Sequence, residues 1–223
     1  MTNLPKAVFF DLDGTLVDSI GDIRHALNLA VSLKGVGPFD EAAVRTMVGA
    51  GAVKLIIRAM LSAQMTPNQF DAQYLKAAFI AAYKASSHEK TKVYPNARET
   101  LEVLRASGCK VAVVSNKPHE LTEKAVDGLK LSPLFDAVLG GSDAHALKPS
   151  GAMILAVADG MGLSPDNIIM VGDSANDVEA ARAAGCRVVV VDYGYSDRPA
   201  RELEADGVIS CLSELPGLLS KIA

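Results

Sequence analysis

Two carboxylates, Asp11 and Asp13, stand two positions apart in KAVFFDLDGTLVDS, residues 6–19, where a short apolar run stops. On an extended backbone such a pair leaves the chain on the same side. Adjacent anions repel, and a hard divalent cation such as Mg²⁺, held by carboxylate and carbonyl oxygens, would relieve that repulsion. Gly14 permits a sharp turn that lets backbone amides approach a bound anion, and Thr15 adds a hydroxyl donor. An Asp-Gly turn with solvated acids fits the same stretch if it is read in isolation.

Further residues of the same chemical kind recur downstream: Ser115 and Asn116, Lys148, and Asp173 with Asp177. The elements that would carry them follow from periodicity. Ala7 to Phe10 is a continuous apolar run of strand length, the pattern of a parallel strand buried on both faces. From Ser19, a possible N-cap, the period becomes helical through Ile20, Ile23, Leu27, Ala30 and Val31. Helices then dominate for some seventy residues. Gly35 to Pro38 breaks the first, Asp40 caps a second, and Gly49-Ala50-Gly51 precedes a third. Thr66 to Gln69 reads as a capping box with Pro67 at the first helical position, opening a helix whose apolar face holds Phe70, Tyr74, Ala77, Ala78 and Ala81.

Past Lys92 strands and helices alternate. Strands are expected at Lys110–Val114, Asp136–Leu139, Ile168–Val171 and Val188–Val191, with helices from Pro95-Asn96, Pro118, Lys148-Pro149 and Ala175 between them. Val208-Ile209 and Leu215 to Leu219 close the chain. The alternation implies an α/β fold: a doubly wound parallel sheet, Rossmann-like, covered by helices on both faces, with a helical insertion after the first strand. Ligands of such sheets bind at the carboxyl ends of the strands, beside the point where strand order reverses. Asp11, Asp13, Ser115, Asn116, Lys148, Asp173 and Asp177 all fall at that edge. Each has a plainer reading as a turn residue, a solvated helix start or an N-cap. A lysine beside a helix amino terminus opposes the helix dipole, which suggests work elsewhere.

With 223 residues the chain suits a core domain plus an inserted piece. A net charge of -4 gives no basic footprint for nucleic acid. No apolar stretch reaches the roughly 20 residues that span a bilayer, and no signal region precedes Asp11, so a cytoplasmic protein without a membrane partner is expected. Cys109, Cys186 and Cys211 lack ligand spacing and fit free thiols. His25, His88, His119 and His145 show none either.

VFFDLDGT, VVSN, the lysine of LKPS and VGDSANDVEAARAAG resemble, in order, the four motifs of the haloacid dehalogenase superfamily of phosphotransferases, and the likeness covers nearly the whole chain. The helical segment resembles that family's inserted cap. This divides the chain into a core of residues 1–15 and 91–223 and a cap of residues 16–90. VGAG, VVSNKP, VLGGSDA and VDYGYSD look like the phosphoglycolate phosphatases within the superfamily. The resemblance implies that Asp11 is the nucleophile and Asp13 the general acid and base. It implies Mg²⁺ held by the Asp11 side chain, the Asp13 carbonyl and Asp173, with Asp177 supporting that shell directly or through water. Gly14, Thr15, Ser115 and Asn116 would contact the phosphoryl group, and Lys148 would offset its charge. Arg45, Lys54 and Arg58 could reach a substrate carboxylate from the cap, although surface charge explains them equally. Ala146 and Leu147 are less polar than those phosphatases have before the lysine.

The implied substrate is a small phosphate monoester, 2-phosphoglycolate first. Sugar phosphates, nucleotides or pyrophosphate, and a β-phosphoglucomutase-like transfer, stay open. A dehalogenase has no leaving alkoxide for Asp13 to protonate. A phospho-acceptor signalling domain joins similar residues, but after a later strand and in about half the length. Oligomeric state is not readable.

Overall fold

The computed structural model describes residues 4–86 and 90–222, so His88 lies outside the described residues. The elements run β1 (Ala7–Phe10), β2 (Val17–Asp18), α1 (Ile20–Ser32), α2 (Glu41–Arg45), α3 (Ala52–Ser62), α4 (Gln69–Ala85), β3 (Lys92–Val93), α5 (Ala97–Ala106), β4 (Lys110–Pro118), α6 (His119–Gly128), β5 (Ala137–Gly141), α7 (Ala152–Gly160), β6 (Ile168–Gly172), α8 (Ala175–Ala184), β7 (Arg187–Val191), β8 (Gly207–Ile209) and α9 (Leu215–Ile222). The six-stranded sheet has order β5-β4-β1-β6-β7-β8, and all its pairings are parallel. This is the expected doubly wound α/β sheet.

The apolar strands have two buried faces because each face meets helices. Val8 and Phe10 of β1 pack with Ile169 and Val171 of β6 and with α5 and α9. Ala7 and Phe9 face the other way, with Ile168 and Met170, against α7 and α8. After β1 the chain goes to one side of the sheet, through β4 and β5, then returns to place β6 on the other side of β1. Strand order therefore reverses at β1, the position where a crevice opens beyond the strand ends.

The four helices after β1 share a second cluster, including Ile20, Leu27, Val44, Leu55, Phe79 and Tyr83, which Leu121 of α6 and Tyr195 beyond β7 join from the core. Leu16 and Val17 belong to the sheet's cluster, so the insertion's own packing begins at Ile20 rather than at residue 16. At the junction β2 and β3 form an antiparallel two-stranded ribbon. These strands are two residues long, too short for any periodic signal.

Two local expectations are corrected. The fourth helix starts at Gln69, capped by Asn68, whose side chain accepts from the Asp71 N–H. Asn68 is itself a good cap, and Thr66-Pro67 stay outside the helix. Its buried face holds Ala72, Leu75, Phe79 and Tyr83, while Phe70 and Tyr74 are exposed. Phe70 and Tyr74 are apolar by type, but they lie on the solvent side of the helix. Helix α7 likewise begins at Ala152, leaving Lys148 in the preceding turn. Among the described residues no helix is long and apolar enough to cross a membrane.

Candidate active site

The backbone at the end of β1 is held before any side chain acts. The Asp11 N–H donates to the Val171 carbonyl of β6, and the Gly14 N–H to the Val17 carbonyl, closing a tight turn. Gly14 sits at φ +89°, and a Cβ there would lie 2.5 Å from Asp173 Oδ2, so only glycine lets the two loops meet.

Asp11 is 7 % exposed. Its Oδ1 lies 3.0 Å from Lys148 Nζ, which also sits 2.6 Å from Asp177 Oδ1 and donates to the Val114 carbonyl at 2.9 Å. Burial pushes the Asp11 carboxyl up to about 6, with Lys148 pulling the other way and Asp177 adding to the rise. Asp173 is raised well above the usual carboxylate range by burial, then by the Asp177 and Asp11 charges. Lys148 is held charged: burial alone would lower it, but Asp11 and Asp177 outweigh burial.

Carboxylate oxygens of Asp11, Asp173 and Asp177 lie within 4.8 Å of one another. Asp11 Oδ1 is buried, and its charged partner is the Lys148 ammonium at 3.0 Å. Crowded carboxylate oxygens, with Asp11 and Asp173 raised in affinity for a proton, fit a hard divalent cation. Asp173 Oδ2 accepts from the Tyr195 N–H at 2.6 Å, which fixes its orientation. Asp177 is the most committed of the three. Its Oδ2 accepts from the Asp173 N–H, the Ser174 N–H and the Ser174 hydroxyl, forming a capping box at the start of α8, and its Oδ1 holds Lys148.

Asp13 faces a different set of partners. Its Oδ1 accepts from the Ser19 hydroxyl at 2.6 Å, and Lys117 Nζ reaches both carboxylate oxygens at 3.1 Å. Ser19 stands before α1 but its side chain caps nothing there, since it serves Asp13 instead. Asp11, Asp13, Ser115, Asn116 and Lys117 line one cavity of about 40 Å³, whose other wall is the apolar cap surface of Ile23, Val48, Leu55 and Phe79.

The remaining expected residues separate. Ser115 is buried beside Asp11, and its hydroxyl lowers that carboxyl's affinity for a proton. Asn116 has its side chain occupied: its amide donates to the Gly49 and Lys148 carbonyls, and its oxygen accepts from the Lys148 N–H. It is a clamp joining β4 to the cap loop and to the Lys148 turn. The Thr15 hydroxyl is fully buried without a hydrogen-bond partner, and neither Gly14 nor Thr15 lines the cavity. Arg45 pairs with Asp18 at 3.1 Å and lies 4.9 Å over the Tyr195 ring. Arg58 donates to the Met47 and Val48 carbonyls, bracing the loop. Lys54 lines an outer cleft of about 560 Å³ between cap and core. None of these three cap cations lines the inner cavity.

Lys117 and Tyr195 lie within the VVSNKP and VDYGYSD stretches, but neither carries a role in the sequence expectations. The signal for Lys117 is a bulge: Ser115 pairs with Gly140 and Pro118 with Gly141, so three residues of β4 pass one step of β5. Bulges re-aim side chains beside functional sites. A Cβ on Gly140 would lie 2.8 Å from the Lys117 carbonyl and 2.5 Å from His119 Cα, so the glycine pair accommodates the bulge rather than marking a turn.

The model of the family described as haloacid dehalogenase-like hydrolase matches residues 8–191. The phosphoglycolate phosphatase of Rhodospirillum rubrum is 40 % identical over 217 residues, covering 95 % of this chain and 90 % of the relative. That of Chromobacterium violaceum is 37 % identical over 217 residues, 96 % of each chain. A crystal structure of a predicted phosphoglycolate phosphatase from Haemophilus somnus superposes with a TM-score of 0.88 at 33 % identity, covering 96 % of this chain and 97 % of that one. With its four motifs meeting at one sheet edge and relatives of this similarity over nearly its full length, the chain belongs to the haloacid dehalogenase-like hydrolases.

Proposed function

We propose that this chain is a Mg²⁺-dependent phosphatase that hydrolyses a small phosphate monoester, 2-phosphoglycolate first among candidates, through an aspartyl phosphate on Asp11. The observation that carries this reading is the meeting of Asp11, Asp173 and Asp177 within 4.8 Å, with Lys148 3.0 Å from Asp11, beside a cavity that Asp13 also lines. The names of the similar proteins support the choice of substrate.

At neutral pH Asp11 is ionised, because its carboxyl, though raised to about 6, still lies below pH 7. It needs no base to attack phosphorus. As the new Asp11–phosphorus bond forms and the ester bond breaks, Asp13 gives its proton to the departing alkoxide. Asp13 then accepts a proton from the water that attacks the aspartyl phosphate, which releases inorganic phosphate and restores Asp11. Ser115 donates to the phosphoryl oxygens, and Lys148 offsets their charge. The Asp11 and Asp173 carboxylates and the Asp13 carbonyl would hold Mg²⁺, with Asp177 fixing Lys148 and steadying this group. The metal supplies neutralisation of phosphoryl charge. With Asp13 carrying the proton it donates, three carboxylates faced by two ammonium groups leave one negative charge uncompensated before the phosphate adds its own, and a dication would offset it. The cap, residues 16–90 in the sequence reading and packed as a unit from Ile20, closes the cavity and excludes bulk water. A small cavity of about 40 Å³, walled on the cap side by Ile23, Val48, Leu55 and Phe79, favours a short alcohol portion over a nucleoside.

The test is phosphate release from a panel of phosphate esters with Mg²⁺, comparing kcat/KM. Highest turnover for 2-phosphoglycolate, lost on chelation, is the expected result. Equal turnover of nucleotides and sugar phosphates would overturn the substrate assignment, and undiminished turnover in excess chelator would overturn the metal.

A further inference from the structure

We infer that Lys117 is the positioning residue for Asp13 and that Tyr83 of the cap seats it. This rests on the reading of Asp13 as general acid and base. The Lys117 side chain is 4 % exposed, so the chain has buried an ammonium at considerable desolvation cost. A methionine of similar length would fill that space without such a cost. The ammonium carries three protons, and three acceptors surround it: both oxygens of Asp13 at 3.1 Å and the Tyr83 hydroxyl at 2.8 Å. Its nitrogen also lies 4.2 Å from the centre of the Tyr83 ring. Two-point contact fixes the plane of the Asp13 carboxyl as well as its direction, which a single hydrogen bond from Ser19 cannot do.

The origins of the partners give the contact a second consequence. Lys117 comes from the β4 bulge of the core, Ser19 from the junction before α1, and Tyr83 from α4 of the cap. The carboxyl that must reach the bridging oxygen of the ester is thus aimed by a lysine whose third bond exists only when α4 is docked. Lifting the cap would remove the Tyr83 contact and leave Lys117 on Asp13 alone, so the docked cap tightens the aim of Asp13.

Leaving-group chemistry separates this role from a structural one. The alkoxide of 2-phosphoglycolate needs a proton as it departs, whereas the phenolate of p-nitrophenyl phosphate leaves without one. First-turnover rates for both esters are to be measured for Lys117→Met, Lys117→Arg, Tyr83→Phe and Asp13→Asn. Misaiming an acid costs about 10²-fold, so Lys117→Met should slow the first turnover of phosphoglycolate by about 100-fold while slowing the nitrophenolate burst less than about 5-fold. Later nitrophenyl turnovers should slow as well, because Asp13 then fails as base. Tyr83→Phe should show the same split at a few-fold, and Lys117→Arg should recover part of the loss. Should Lys117→Met not fold, as circular dichroism would reveal, Lys117→Arg and Tyr83→Phe carry the test. An equal fall for both esters in the lysine and tyrosine variants, with the split retained in Asp13→Asn, overturns the inference and leaves the acid role of Asp13 standing. A rise in KM confined to phosphoglycolate, with kcat kept, also overturns it and would give Lys117 to the substrate carboxylate. If Asp13→Asn itself slows both esters alike, the acid role fails first and the positioning role falls with it.

Discussion

Asp11 and Asp13 are two residues apart, and each has a buried lysine within about 3 Å, yet their surroundings differ in kind. Every partner of Asp11 comes from the core: Lys148 from the turn before α7, Asp173 and Asp177 from the loop and first turn after β6. The partners of Asp13 come from the β4 bulge and from the junction, with the cap one contact further on. The first carboxylate is fixed by sheet topology, which cap motion leaves unchanged. The second sits on the seam between the two packing units. On the proposed roles, bond formation to phosphorus falls to the carboxylate held by the core alone, and proton movement to the one that sits beside the cap.

The largest expected effect breaks the rigid half. Asp11→Asn removes the nucleophile and should lower turnover by at least about 10⁴-fold, with the circular dichroism of the fold retained. Substantial remaining phosphate release would place the nucleophile elsewhere. Chelation comes next. One unit charge pair at about 4 Å is worth roughly 4 kcal/mol at an effective dielectric near 20, so the uncompensated negative charge facing the phosphate should lower turnover by about 10³-fold in the metal-free protein. Re-addition of Mg²⁺ should restore it, and failure to restore it would point to unfolding rather than repulsion.

A sharper comparison uses stability, because the two aspartates should act with opposite sign. Burial and the Asp177 charge raise the Asp11 carboxyl to about 6 despite Lys148. A carboxyl raised in the folded state lowers stability: the penalty is absent below the ordinary carboxylate range near pH 4, grows between about pH 4 and 6, and is complete above about 6. Asp11→Asn should therefore stabilise the metal-free protein at pH 7.5 by about 1–3 kcal/mol and do little at pH 4. Lys148 keeps Asp177 in that variant. Asp13→Asn instead strands buried Lys117 with the Tyr83 hydroxyl alone and should destabilise by about 3 kcal/mol. Denaturant midpoints in chelator decide this, and shifts of the same sign would erase the distinction between the halves.

The rigid half was the legible one. Apolar runs broken by acids, a hydroxyl or a lysine report strand ends, and parallel topology brings such ends together, so Asp11, Lys148, Asp173 and Asp177 could be gathered without coordinates. Two-residue strands such as β2 and β3 leave no period to read. Lys117 was hidden because its aim depends on a bulge, and the glycines that permit the bulge also read as an ordinary turn. Ser19 has the residue type and position of a helix cap, but its hydroxyl serves Asp13. Arg45, Lys54 and Arg58 lie close to the cavity along the chain, but sequence distance says nothing of their being spent on Asp18, the outer cleft and backbone carbonyls.

Asn116 joins the halves, and its substitution gives the smallest of the effects argued for these two halves. An asparagine that touches a phosphoryl group and one that clamps loops predict different losses. As a clamp it makes bonds to the Gly49 carbonyl of the cap loop and to both backbone groups of Lys148, at 2.8–3.0 Å. Each such bond contributes about 1 kcal/mol net, so Asn116→Ala should destabilise by about 2 kcal/mol and take a donor from the Gly49 and Lys148 carbonyls. Because the cap loop and Lys148 both lose their tether, kcat should fall for every ester, large or small leaving group alike. Asn116→Asp keeps the acceptor for the Lys148 N–H but sets an anion against two carbonyl oxygens, and should be worse than alanine. If alanine instead raises KM for all esters while the denaturant midpoint stays unchanged, Asn116 contacts the substrate, and the clamp seen between cap and core is incidental to its role.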